Sequence, residues 1–187
     1  MNKRFSFLPT PISGLWIAQR MALNDARGSF ARLFCADEFS EIGLNKPIIQ
    51  INHSLNRKSG TVRGLHFQHP PHTETRIVVC VNGEVFDVAV DIRTGSETFL
   101  CWHGEKLSPE NQKSMVIPEG FAHGFQTLTD DCELIYLHTG RYTPEAEEGL
   151  NILDPRIGIA WPLTPHSMSY RDAHHPLLDE SFSGVPL

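Results

Sequence analysis

The chain has no long hydrophobic run, no paired-cysteine motif and no excess of positive charge, and each absence narrows what it can be. No stretch approaches the ~20 apolar residues of a membrane-spanning helix, so no membrane partner is expected. Lys3 and Arg4 resemble the start of a secretory signal, but Pro9 and Pro11 interrupt before an apolar segment forms, which points to a cytoplasmic protein. With 16 Lys and Arg against 22 Asp and Glu, the formal net charge of -6 has the wrong sign for a nucleic-acid partner. The 4 cysteines, Cys35, Cys80, Cys101 and Cys132, fall in no CxxC pair or zinc-type spacing and read as unpaired small hydrophobes. Internal repeats and low-complexity tracts are absent. So is any glycine-rich phosphate loop. A phosphate group would have to be held by side chains, for which the planar fork of arginine is best suited.

What is present is a run of short, β-branched, apolar segments punctuated by 14 Gly and 13 Pro spread along 187 residues. That length and 40% hydrophobic content fit one domain, residues 1–187, with a real core. The best-defined unit is Arg76–Val81 and Glu84–Ile92 flanking Asn82-Gly83, a strong hairpin signal. In its second strand Phe86, Val88, Val90 and Ile92 share one face and Asp87, Ala89 and Asp91 the other, a pattern suited to a polar cavity wall. Further strands are expected at Leu15–Ala18, Phe30–Cys35, Ile48–Ser54, Val62–Phe67 and Thr98–Trp102. Lys113–Ile117, Gly124–Leu128 and Cys132–His138 complete the set. Helix is confined to Ala36–Ile42 and a piece after Ser169. The spacing predicts a mostly-β sandwich or barrel, preferably a jelly roll.

Two glycine-flanked histidines stand out. His66 lies in Arg63-Gly64-Leu65-His66-Phe67-Gln68, where alternation places Val62, Gly64 and His66 opposite Arg63 and Leu65. Such a histidine is often only a core or surface residue; a carboxylate such as Asp87 on a neighbouring strand would orient it as a base. His123 lies in Pro118-Glu119-Gly120-Phe121-Ala122-His123-Gly124-Phe125, where the glycines suggest close approach of backbone or ligand. The alternative there is a turn with an exposed histidine. Tyr136 shares a strand face with Leu134 and His138; its default role is packing, with the hydroxyl finding one partner. A histidine base, a second histidine and a tyrosine acid can move protons at carbon without a cofactor, as an isomerase acting beside a carbonyl requires. Arg27, Arg32, Arg63, Arg76 and Arg171 form a set able to hold phosphate.

With these motifs stand Gly28-x-Phe30, Gln50-x-Asn52-x-Ser54, Gly83-x-Val-Phe-Asp-Val-Ala-Val-Asp91 and Leu107-Ser-x-Glu-Asn111. Tyr142-x-Pro-x-x-Glu147, Asp154-Pro155, Trp161-Pro162 and Ser169-x-x-Asp172 follow in order. In this series the chain, from about Arg27 to Asp172, resembles the dTDP-4-dehydrorhamnose 3,5-epimerase family of cupin jelly rolls. The resemblance implies a cupin jelly-roll barrel with short peripheral helices. It also implies a cofactor-free homodimer that inverts carbons beside the ketone of a nucleotide-linked, dTDP-type 4-keto-6-deoxy sugar. By motif, His66 is then the general base, paired with Asp172, and Tyr136 the general acid, with Asp87 and His123 lining the pocket. Arg27, Gln50, Asn52, Arg63, Glu147 and Arg171 match nucleotide or substrate contacts, and Tyr142 opens the motif that ends in Glu147. Phe30 and Arg32 match a segment that reaches the neighbouring subunit's site. The chain departs from the family pattern at Glu74-Thr75-Arg76, where glutamine-x-lysine is usual; Arg76 keeps the positive charge. Arg32 stands in place of a common glutamate, Ile51 of an aspartate and Leu100 of a glycine.

Two rival readings remain. A metal-dependent cupin isomerase or dioxygenase would use Pro118-x-Gly-x-x-His123 as its second motif, but a first motif needs two histidines one residue apart. His66 and His69 are separated by two residues, which on a strand sends them to opposite faces, so no metal site is expected. A non-catalytic sugar-binding cupin would need no acid–base pair at all.

Overall fold

Strands that are apolar on both faces need cover on both sides, and that requirement organises the molecule. The computed structural model describes residues 3–187. In chain order it contains β1 (Phe5–Pro9), β2 (Trp16–Arg20), β3 (Leu23–Asp25), β4 (Gly28–Phe30), α1 (Ala36–Phe39) and β5 (Gln50–Asn56). Then come β6 (Val62–Gln68), β7 (Arg76–Asn82), β8 (Val85–Asp91), β9 (Trp102–Leu107) and β10 (Lys113–Ile117). The last are β11 (Phe121–Thr127), β12 (Cys132–His138), β13 (Glu147–Gly149) and α2 (Tyr170–Ala173). A six-stranded sheet, β1-β2-β10-β7-β12-β5, faces a five-stranded sheet, β13-β6-β11-β8-β9. Val78, Cys80, Met115 and Leu134 of the first sheet meet Val85, Ala89, Leu107 and Phe125 of the second in the shared interior. Phe39 and Leu44 cover Ile77, Val79 and Leu137 on the outer face of the first sheet. Leu150, Ile152, Ile157 and Val185 cover Val62, Leu65, Phe67, Val88 and Val90 on the second. The result is the expected jelly roll with short peripheral helices.

Three local expectations are corrected. Asn82-Gly83 does turn the chain, with Gly83 at φ +74, but β7 and β8 belong to different sheets. Each is a central strand with partners on both sides, so the turn is a corner between sheets. Of Phe30–Cys35 only Phe30 is in a strand; Leu33, Phe34 and Cys35 pack against the Phe39 cluster as irregular chain. Thr98–Trp102 is turn up to Leu100, because Asp91 gathers the Ser96 and Thr98 hydroxyls at 2.6 Å and the Arg93 guanidinium at 2.7 Å. Those bonds hold the Asp91 carboxyl down at about 2 although burial opposes its charge. The carboxylate face of β8 is therefore interior and loop anchor, not cavity wall. Strands β1, β3 and β13 lie outside the segments expected from the sequence.

The pairing of β6 with β11 sets the site. His123 lies opposite His66, yet Phe125 lies opposite Arg63, so β6 holds one extra residue. This bulge puts Arg63 on the same side as His66, correcting the strict alternation that set them apart; Val62, Leu65 and Phe67 turn to the outer core. Gly64 has φ +127, and a Cβ there would lie 2.5 Å from Gly124 Cα. Glycine is needed on both strands for the backbones to come this close.

Candidate active site

One end of the sandwich opens into a cavity of about 770 Å³ whose two long walls are the opposing sheets. Alternation on β5 turns Gln50, Asn52 and Ser54 inward, and on β12 it does the same for Tyr136 and His138. Arg76 begins β7 beside them. From the other sheet come Arg63, His66 and Gln68 of β6 and His123 of β11. Tyr142 and Glu147 follow β12, and the C-terminal segment brings Ser169, Arg171 and Asp172 over the mouth. That segment is tied down by a bridge between Thr61 and Ser167.

His66 Nε2 lies 2.8 Å from Asp172 Oδ1. Asp172 is buried at the start of α2, where its amide donates to the Ser169 N-cap oxygen at 3.1 Å. Burial opposes its charge, but the hydrogen bond and charge of His66, with bonds from the Gly64 amide and Ser169, together hold the carboxyl below its usual range. A carboxylate only accepts, so the hydrogen is assigned to Nε2 and the lone pair to Nδ1. Arg171 spans the same corner: Nη1 is 2.5 Å from Glu147 Oε2 and Nη2 is 3.3 Å from His66 Nε2. The Tyr142 hydroxyl also donates to Glu147, at 3.0 Å.

Tyr136 enters from the opposite sheet. Burial pushes its phenol well above the ordinary value, so at neutral pH it carries a hydrogen. Its oxygen is 3.2 Å from Ser54 Oγ, and its ring meets His123 edge-on at 6.4 Å. His123 Nε2 is paired with Asp87 Oδ1 at 2.8 Å, both side chains buried. Burial drives the Asp87 carboxyl up and the His123 imidazole down, each away from its charged form. Asp87 thus supports His123 from beneath rather than His66, and it does not line the cavity.

Arg76 donates to Glu74 Oε1 at 2.7 Å and toward the His66 carbonyl at 3.4 Å. The other Glu74 oxygen meets His138 Nδ1 at 2.9 Å. Burial works against the charge of Glu74, but His138 and Arg76 keep it below the usual carboxylate range. The wall opposite His66 is therefore a paired set of charges around one guanidinium.

Arg27, Phe30 and Arg32 lie outside this cavity. Arg27 pairs with Asp25 in the exposed β3–β4 hairpin, Phe30 is 74% exposed at its end, and Arg32 pairs with Glu38 at 2.8 Å. Ile51 points outward from β5. Glu74, His138 and Gln68 also line the cavity, beyond the site residues expected from the sequence; strand alternation from Tyr136 and His66 leads to the last two. Among the described residues one group has metal-ligand spacing, His66, Asp172 and His175. The Arg171 guanidinium beside His66 opposes a second cation there.

The family model described as dTDP-4-dehydrorhamnose 3,5-epimerase matches residues 9–180. The dTDP-4-dehydrorhamnose 3,5-epimerase of Salmonella typhimurium is 42% identical over 176 residues, 93% of this chain and 96% of that protein. Among solved structures, dTDP-6-deoxy-D-glucose-3,5-epimerase from Legionella pneumophila, in complex with dTDP-4-keto-L-rhamnose, superposes with a TM-score of 0.90. It is 38% identical, covering 97% of this chain and 98% of that one. A 3'-monoepimerase from Streptomyces bikiniensis in complex with dTDP-quinovose gives 0.84 at 33% identity, covering 90% and 86%.

Proposed function

Because the chain belongs to the dTDP-4-dehydrorhamnose 3,5-epimerase family, we propose that it inverts carbon beside the 4-keto group of a dTDP-linked 4-keto-6-deoxy sugar. The observation that carries this reading is a histidine–carboxylate pair and a protonated tyrosine contributed by opposing sheets to one cavity. His66 Nδ1 takes the proton from carbon, and the C–H electrons move onto the ketone to give an enolate. The Arg76 guanidinium offers donors to the developing oxyanion. Tyr136 returns a proton to the opposite face, and solvent resets both groups. No oxidation state changes, so these steps call for no redox cofactor. Arg63 and Arg171, with Gln50 and Asn52, supply the donors for the nucleotide diphosphate. The β3–β4 hairpin, exposed along its length, is the arm of a cytoplasmic homodimer and carries Phe30 to a partner's cavity.

Solvent deuterium exchange into a dTDP-4-keto-6-deoxy sugar tests the reading. His66→Asn should remove exchange almost wholly while nucleotide binding stays within several-fold. Survival of most of the exchange would assign the base to another group.

A further inference from the structure

The Tyr136 hydroxyl is one end of a hydrogen-bond chain whose other end is the Arg63 guanidinium. Arg63 Nε donates to Asn56 Oδ1 at 2.6 Å. Asn56 Nδ2 donates to Ser54 Oγ at 3.3 Å and to the Cys132 carbonyl at 3.3 Å. Ser54 Oγ lies 3.2 Å from Tyr136 Oη. From Arg63 as far as Ser54 the direction of the chain follows from its partners. Guanidinium only donates and a backbone carbonyl only accepts, so the Asn56 amide has one possible orientation. Both Asn56 hydrogens are then committed, one of them to Ser54 Oγ. Ser54 keeps one hydrogen and one lone pair, so either it or Tyr136 Oη can donate across their contact. Asn56 is buried, on β5 opposite Cys132 of β12, so the amide is held between fixed strands.

We propose that Ser54 and Asn56 are positioning residues that point the Tyr136 hydrogen into the cavity. With Ser54 donating to Oη, the phenol hydrogen cannot be spent on Ser54 and faces the reacting carbon. The same bond stabilises the phenolate left after protonation, the direction in which Ser54 moves the Tyr136 pKa. Because Arg63 also lines the cavity, an anionic ligand drawn to its guanidinium sits at the far end of the chain that orients the acid.

This rests on the reading of Tyr136 as the acid, and the test separates the two. Four variants, Tyr136→Phe, Ser54→Ala, Ser54→Thr and Asn56→Asp, are compared by the ratio of inversion to deuterium wash-in. Ser54→Ala should lower the ratio about tenfold, the worth of one ordinary hydrogen bond. Ser54→Thr, which keeps the hydroxyl, should restore it. Asn56→Asp replaces the donor to Ser54 with an acceptor, so Ser54 turns its hydrogen away from Tyr136 and the ratio should fall as in Ser54→Ala. Wash-in itself, made by His66, should hold in all four. A merely structural role for Ser54 would lower both rates together, and that result overturns the proposal. A normal ratio in Ser54→Ala beside a collapsed ratio in Tyr136→Phe overturns it while leaving the acid assignment standing. A normal ratio in Tyr136→Phe removes both. If Asn56→Asp fails to fold, the Ser54 pair decides alone.

Discussion

A strand tyrosine is ordinary until its hydroxyl is desolvated and given one neighbour, and both hold for Tyr136. On the proposed mechanism, replacing it with phenylalanine leaves His66 and the Arg76 charge able to make the enolate. Deuterium should therefore still wash in from the His66 face while inverted product falls by the ~100- to 10,000-fold typical of a lost general acid. Asp172 carries a second residue-level prediction. Its carboxyl is depressed in the folded state, so it stabilises the fold above the unfolded carboxyl value of ~3.9 and loses that contribution as pH falls through the lower folded value. Glu74, Glu147 and Asp91 have the same sign, so the comparison must be with Asp172→Asn. Urea midpoints should be further apart for the two proteins at pH 7 than near pH 3. At this scale the place of His66 and Tyr136 in the cavity was legible from sequence, because glycine neighbours and strand alternation mark them. Glu74 was not, since a glutamate in a loop gives no sign that a buried guanidinium will claim it.

At the scale of elements, the bulge in β6 decides which side chains meet. Alternation correctly placed the inward rows of β5 and β12, which run without interruption past their neighbours. It misplaced Arg63 because one extra residue shifts every side chain beyond it, and nothing in a two-residue period announces that shift. Asn82-Gly83 misled for a related reason: a turn signal reports reversal of the chain, not which strands pair afterwards. Gly64→Ala should be the sharpest local probe. A methyl group at φ +127, 2.5 Å from Gly124 Cα, forces the two backbones apart. The loss should exceed about 2 kcal/mol in urea unfolding. Activity should fall further than stability, since Arg63 and His66 shift together. A variant with wild-type midpoint and turnover would mean that β6 can reset its register freely.

For the whole molecule, the β3–β4 hairpin has no core of its own: all six of its strand residues are exposed, with Phe30 at the end. An exposed arm of this kind is stable only if something covers it. On the proposed assembly, Phe30→Asp should leave the protein monomeric in sedimentation equilibrium and lower its activity. The melting curve of the remaining sandwich should hardly change, because Phe30 joins none of the core clusters. A fully active monomer would refute the assembly. The jelly roll as a whole was legible because its strands are short, apolar on both faces and closely spaced. Its crossovers were not, because pairings between distant segments leave no local trace.

Those distant pairings fix an order of events in time. The bond between Gln19 and the Asn111 carbonyl spans 92 residues, and the His66–Asp172 contact spans 106. Chains dominated by such contacts fold slowly, on the order of milliseconds to seconds. The C-terminal segment can dock only on a β6 that already exists, since its anchors are the bridge from Ser167 to Thr61, just before that strand, and the bond between Asp172 and His66 within it. The His66–Asp172 pair, the proposed base, is therefore completed last. On refolding from urea, burial of Trp16 and Trp102, which pack against the sandwich, should precede the return of deuterium exchange; a simultaneous return would mean that the segment and the sandwich form as one nucleus.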